Sequence, residues 1–278
     1  MWTPRARRLA AVFSSLLAAA FATLGCGDRP PAIDGHLSVA ASLAADATGF
    51  ARALSPRRFS FPADHGPHSE FRTEWWYYAG NLATPEGRRF GFQLTFFRRA
   101  LAARPAPRAS AWAASQVYLA HFALSDVAAG RFRSFERVSR GALGLAGARA
   151  APFRAWLATW SAAGPPAPGP ATPMHLVAAE ADAAIDLTLD EGKPPILEGD
   201  RGLSRKGALP GQASYYYSLT RMPARGSLRA DGQLYPVAGL AWMDREWSSG
   251  SLGPDQIGWD WLALQLDDGR EVMLYRLR

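Results

Sequence analysis

Three acidic residues stand among aromatic, β-prone neighbours. Glu74 precedes Trp75-Trp76-Tyr77-Tyr78, and Asp244 and Glu246 flank Arg245 within Trp242-Met243-Asp244-Arg245-Glu246-Trp247. Side chains of an extended strand alternate between two faces. Glu74, Trp76 and Tyr78 therefore share one face, and Trp75 and Tyr77 the other. Asp244 and Glu246 share a face opposite Arg245 and Trp247, and His121 falls with Val117, Leu119 and Ala123. Acids in such surroundings are expected to be partly buried, and a buried charge must be paired or neutralised. His121, Arg98, Lys206 and Arg245 are available as partners. A neutralised carboxylic acid against π-faces has a second capacity: it can protonate carbon and tolerate the cation that results. Asp244, Glu74, His121 and Arg245 are thus the catalytic candidates. Trp75, Trp76, Tyr78, Tyr216 and Trp247 are the expected contacts of an apolar ligand. The competing role, a purely structural plug of paired charges, has the stronger claim on these acids.

Other chemistries find less support. Asp64, His65 and His68 have the spacing Asp-His-x-x-His, which could offer metal ligands, but the segment is loop-like and no metal site is assigned. There is no Gly-rich phosphate loop and no Gly-x-Ser-x-Gly, so no cofactor and no serine nucleophile are expected. The formal charge of +7 is misleading, because Arg5, Arg7 and Arg8 belong to a leader; taking those three from +7 leaves +4. The remaining arginines are scattered among acids, and no basic stripe of the kind nucleic acid requires is present.

The elements that must position these residues are strands. Glu74–Leu82 and Phe90–Arg98 flank a Pro85-Glu86-Gly87 turn, and Val117–Leu124 runs into a turn at Asp126–Gly130. His175–Ala181, Ala184–Asp190, Tyr215–Met222, Ser227–Leu228 and Val237–Trp242 continue the pattern. Ala102–Ser115 and the five-proline stretch Ala163–Pro173 read as loops. After residue 60 no long stretch repeats apolar residues at helical spacing, so the fold is all-β, a sandwich or a barrel. Residues 75–82 can be laid on 259–266, and each segment leads through Gly-Arg into another β-prone run. This echo suggests a structural repeat.

The N-terminus reads as an export signal. Basic residues precede an apolar run from Leu9 to Leu24, too short for a membrane span of about 20 residues. Thr23-Leu24-Gly25-Cys26 then resembles a lipoprotein cleavage site, and Cys26 is the only cysteine. The expected organisation is a signal peptide at 1–25 and a lipidated tether at 26–57, the Ala-rich part of which, Leu37–Leu54, carries a short helix. The main domain follows at 58–250.

Longer motifs carry a family resemblance. Phe61-Pro62-Ala63-Asp64-His65-Gly66-Pro67-His68, Thr73-Glu74-Trp75-Trp76-Tyr77-Tyr78-Ala79-Gly80, Tyr118-Leu119-Ala120-His121-Phe122-Ala123-Leu124-Ser125-Asp126 and the Trp242–Trp247 motif resemble the carotenoid 1,2-hydratase/AttH-like family. The resemblance runs over about residues 59 to 278. It implies tandem lipocalin-like antiparallel β-barrels, so that residues 251–278 would be the first hairpin of a second, truncated barrel with exposed Trp259 and Trp261. One branch hydrates acyclic carotenoids; the other consists of lipoproteins encoded beside ABC-transporter permeases. The lipoprotein-like start favours the second branch, as does Arg245, where the hydratase branch is expected to carry histidine. The resulting expectation is a protein lipid-anchored in the cell envelope and facing the periplasm. It would hold a hydrophobic small molecule or lipid in its barrel lumen and serve an ABC-transporter permease; hydration of an isoprenoid double bond is the alternative. Cys26→Ser is expected to release the protein from membranes, as fractionation and the mass of the mature N-terminus would show.

Overall fold

A computed structural model describes residues 48–107, 109–166, 169–249 and 256–278. The leader, Cys26 and the tether up to residue 47 lie outside the described residues. Residues 48–54, the described end of the Ala-rich stretch, are turn and irregular chain. Ala53 is buried and donates its N–H to Ser249 Oγ at 3.1 Å, which ties this segment to the barrel.

Strands β1 (Thr73–Ala83), β2 (Arg89–Ala100), β3 (Gln116–Asp126) and β4 (Arg131–Arg140) form an antiparallel meander. The β1–β2 turn is the predicted one, with Gly87 at a φ of 86° that favours glycine. Short strands β5 (Ala146–Arg149), β6 (Arg154–Leu157) and β7 (Trp160–Ala163) lead to β8 (Met174–Glu180) and β9 (Ala183–Leu189). A long hairpin of β12 (Ala213–Ala230) and β13 (Gln233–Ser248) completes the sheet, and β10 (Ile196–Leu197) and β11 (Leu203–Arg205) add to β12. The strand order β4-β3-β2-β1-β13-β12-β9-β8-β7-β6-β5 makes a nearly closed barrel. Across its gap Arg137 of β4 binds Glu180 and covers the Trp160 ring at 4.3 Å.

Two separate strands were expected where β12 runs through. The strand runs on through Pro223 and Gly226, with a register shift between Leu219 and Met222. At Gly226 a Cβ would sit 2.1 Å from the Asp186 carbonyl oxygen, so glycine there permits close strand contact. Strand β4 was not foreseen, because an edge strand mixing Arg131, Phe132, Arg133 and Phe135 has no clean apolar face.

The barrel interior is a side-chain core. Trp76, Tyr78, Leu94, Phe96, Phe122, Trp160, Met243 and Trp247 are at most 1% exposed and pack it. Each such side chain contributes about 1.5–3 kcal/mol through burial. One end is closed by charge. Glu74 is fully buried and bonds Arg98 of β2 and Arg245 of β13. The His68 N–H donates to it at 2.9 Å. Arg98 donates to the carbonyls of His68 (2.9 Å) and Phe71 (2.7 Å), and Arg245 to that of Gly66 (2.6 Å). The Arg245 guanidinium also lies 4.1 Å from the Trp76 ring. Burial alone would raise the Glu74 carboxyl, but Arg245 and Arg98 hold it well below the usual carboxylate range.

Glu74→Gln would strand two buried guanidiniums and is expected to cost about 3–5 kcal/mol at pH 7 in denaturant unfolding. A depressed carboxyl stabilises above its unfolded pKa and loses that contribution as pH falls. The gap between parent and variant should therefore narrow below about pH 4.5.

Candidate functional site

The outward face of the same strands carries a different set of side chains. Strand register aligns Ser218 (β12), Asp244 (β13), Tyr77 (β1), Thr95 (β2), His121 (β3) and Glu136 (β4) in one row. The next row on this face holds Tyr216, Glu246, Trp75 and Phe97. A second, two-stranded sheet of β14 (Trp259–Gln265) and β15 (Glu271–Leu277) lies against it. Its attachment is through side chains. Trp261 packs edge-on to Tyr77 at 5.2 Å and to Trp242 at 6.0 Å. Gln265 donates to the carbonyls of Thr220 (2.7 Å) and Ala241 (3.1 Å), and Lys193 pairs with Glu271 at 2.8 Å. Trp259 and Trp261, expected to be exposed, are half-buried for this reason.

Between barrel and hairpin lies a cavity of about 420 Å³, lined by Trp75, Tyr77, Phe97, His121, Lys206, Tyr216, Asp244, Glu246, Trp259, Trp261 and Tyr275 among others. Asp244 is 5% exposed. Its Oδ1 accepts hydrogen bonds from the Ser218 hydroxyl (2.6 Å) and the Trp242 indole (2.7 Å). Burial pushes its carboxyl up to about 7; the bonds from Ser218, Trp242 and Tyr216 oppose the rise, and Glu246 adds to it. Glu246 is paired with Lys206 at 2.9 Å, and the Lys206 ammonium lies 4.5 Å from the Tyr275 ring. His121 Nε2 is 3.0 Å from Glu136 and its ring meets Phe97 edge-on at 5.5 Å. Asp244 and His121 are three strand spacings apart, about 14 Å at the backbone, so they occupy opposite ends of the row and form no dyad.

Of the four catalytic candidates, Asp244 and His121 therefore face the cavity, while Glu74 and Arg245 lie in the charged closure of the barrel. Of the expected ligand contacts, Trp75 and Tyr216 line the cavity, whereas Trp76, Tyr78 and Trp247 belong to the core. Asp64 and His68 bond one another at 3.0 Å, while His65 turns to the Tyr217 hydroxyl at 2.6 Å. Among the described residues no group of three His, Cys, Asp or Glu side chains converges as a metal site would require. Sequence reasoning missed Tyr77 and Ser218 as site residues. Their signal was parity: Tyr77 shares a face with Trp75, and Ser218 with Tyr216.

Fold and site together define a lipocalin-like β-barrel protein with an acid-bearing, aromatic cavity on its flank. The chain belongs to the AttH-like family, whose profile matches residues 52–278. An AttH protein from Nitrosomonas europaea is similar at 36% identity with a TM-score of 0.72, the match covering 82% of this chain and 68% of that one. Kievitone hydratase from Nectria haematococca shares the fold at 12% identity with a TM-score of 0.54, over 84% of this chain and 69% of that one. Comparison with curated proteins gives no match.

Asp244→Asn keeps an acceptor for Ser218 and Trp242 but removes the ionisation. A carboxyl raised on folding stabilises below its unfolded pKa, and that contribution is lost as pH rises through about 7. The variant is therefore expected to melt at or above the parent at pH 8, and relatively lower at pH 5; thermal unfolding at the two pH values checks this.

Proposed function

We propose that the cavity binds an unsaturated, isoprenoid-like hydrophobic molecule and that Asp244 protonates it in a hydratase-type addition of water. The observation that carries this reading is the buried Asp244 carboxyl, raised to about 7 within an aromatic cavity. A general acid works best when its pKa lies near the operating pH. In the reaction, the Asp244 proton forms a new C–H bond with the alkene π pair. The adjacent carbon becomes cationic, and the faces of Trp75, Tyr77 and Trp261 stabilise it. Water oxygen then bonds to that carbon and releases one proton, so alkene and water give an alcohol.

The volume of about 420 Å³ lies within the range of small-molecule sites. A hydratase with the same fold, kievitone hydratase, lends support at the level of architecture. Arg245 points into the barrel, away from the cavity, so its departure from the hydratase pattern leaves the Asp244 chemistry untouched. The envelope position, the anchor at Cys26 and service to an ABC-transporter permease rest on the leader and the family resemblance; we carry them forward as part of the proposal.

Incubation with lycopene and with the shorter acyclic alkene myrcene in ¹⁸O-labelled water is expected to give a labelled alcohol from at least one of them. Asp244→Asn should abolish it while folding survives. Mass spectrometry reads the product, and its absence from both reactions with the parent protein overturns the hydration reading.

A further inference from the structure

A second acid reaches the Ser218 hydroxyl beside Asp244. The fully buried Ser218 hydroxyl that lies 2.6 Å from Asp244 Oδ1 also lies 3.0 Å from Glu198 Oε1. A hydroxyl carries one hydrogen and can donate to one carboxylate only. With both carboxyls ionised, one of the two contacts would hold no hydrogen. The arrangement therefore needs a proton on one of the acids, shared through Ser218. The local charges agree: Glu198 and Glu246 share the Lys206 ammonium, which is already paired with Glu246, and Glu246 also acts on Asp244. Burial also raises the Glu198 carboxyl. Glu198 is half-buried between exposed Leu197 and Gly199, so the chain of groups runs from the solvent boundary to the cavity.

We propose that Glu198 and Ser218 form a proton relay that recharges Asp244 from solvent, an inference that rests on the proton-donor reading of Asp244. Direct reprotonation is obstructed, because Asp244 is 5% exposed and faces a cavity that an apolar ligand would fill. After Asp244 has given its proton to carbon, the Ser218 O–H passes its hydrogen to Asp244 Oδ1. The Glu198 carboxyl passes its own to Ser218 Oγ and then takes one from solvent. The water that adds to the substrate returns one proton to solvent, so the cycle consumes no acid. Glu198 and Ser218 act through Asp244 and are positioning residues.

The test uses the full chain labelled with carbon-13 at Asp and Glu carboxyls, with Asp244→Asn and Glu198→Gln assigning the resonances. Glu198→Gln is expected to move the Asp244 midpoint by about one pH unit, as coupled sites require. Ser218→Ala should remove that response, and Ser218→Thr, which keeps a hydroxyl, should preserve it. An Asp244 midpoint indifferent to Glu198→Gln overturns the relay. On an alkene that the parent hydrates, Glu198→Gln and Ser218→Ala should lower kcat about tenfold or more with KM unchanged, and added imidazole buffer should restore it. Unchanged kcat, or a loss that buffer does not restore, also overturns the relay. Because the carboxyl titration needs no substrate, a parent protein without hydration activity refutes the reading of the cavity while the titration still decides the relay.

Discussion

A carboxylate held out of water between two guanidiniums is the constraint on which the closed end of the barrel depends. Glu74, Arg98 and Arg245 come from three adjacent strands, so satisfying one charge ties β1, β2 and β13 together. Desolvating these ions costs several kcal/mol each, and attraction offsets that only when every remaining donor is met. The carbonyls of Gly66, His68 and Phe71 accept three of them, which obliges the segment before β1 to fold over the barrel end, while Arg98 Nη1 and Arg245 Nε stay buried without a partner. From there the contacts continue outward: His68, stacked on Trp247 at 3.7 Å, bonds Asp64, and Asp64 pairs with Arg57 at 3.1 Å.

Two buried carboxyls lie on opposite faces of the same strands and meet opposite fates. Glu74 has two arginines within bonding distance and is held ionised. Asp244, on the outer face of the neighbouring strand and three register positions along, has hydroxyl, indole and phenol donors but no cation of its own. Desolvation acts on both in the same direction; the neighbours decide the outcome. The stabilising acid and the acid suited to chemistry are thus separated by the sheet itself.

Much of this was legible in the sequence. Alternation alone placed Glu74, Trp76 and Tyr78 on one face and Trp75 and Tyr77 on the other, and it separated Asp244 from Arg245. What alternation does not carry is which face borders a cavity. A lumen was expected, and the large rings of Trp76, Phe122 and Trp160 occupy that space. The cavity instead depends on contacts between Trp261 and Tyr77, far apart in the chain, which no local pattern encodes. Glu198 was invisible for a related reason: it lies beside a two-residue strand and gains its meaning only from Ser218, twenty residues on. Strands β5, β6 and β7 have four residues each, too few for alternation to be read.

The hairpin over the cavity shares no sheet with the barrel among the described residues and meets it through side chains. It also has strand parity, with Trp259 and Trp261 turned to the barrel and Leu262 and Leu264 turned away. A one-residue slip of β14 would exchange the two sets and replace an aromatic roof by an aliphatic one. The wall that carries the acid and the roof over the cavity are therefore built from separate sheets. Roof residues can change in size and polarity without disturbing the charged closure or the aromatic core, so on the proposed reading the ligand preference could drift while the acid stays in place.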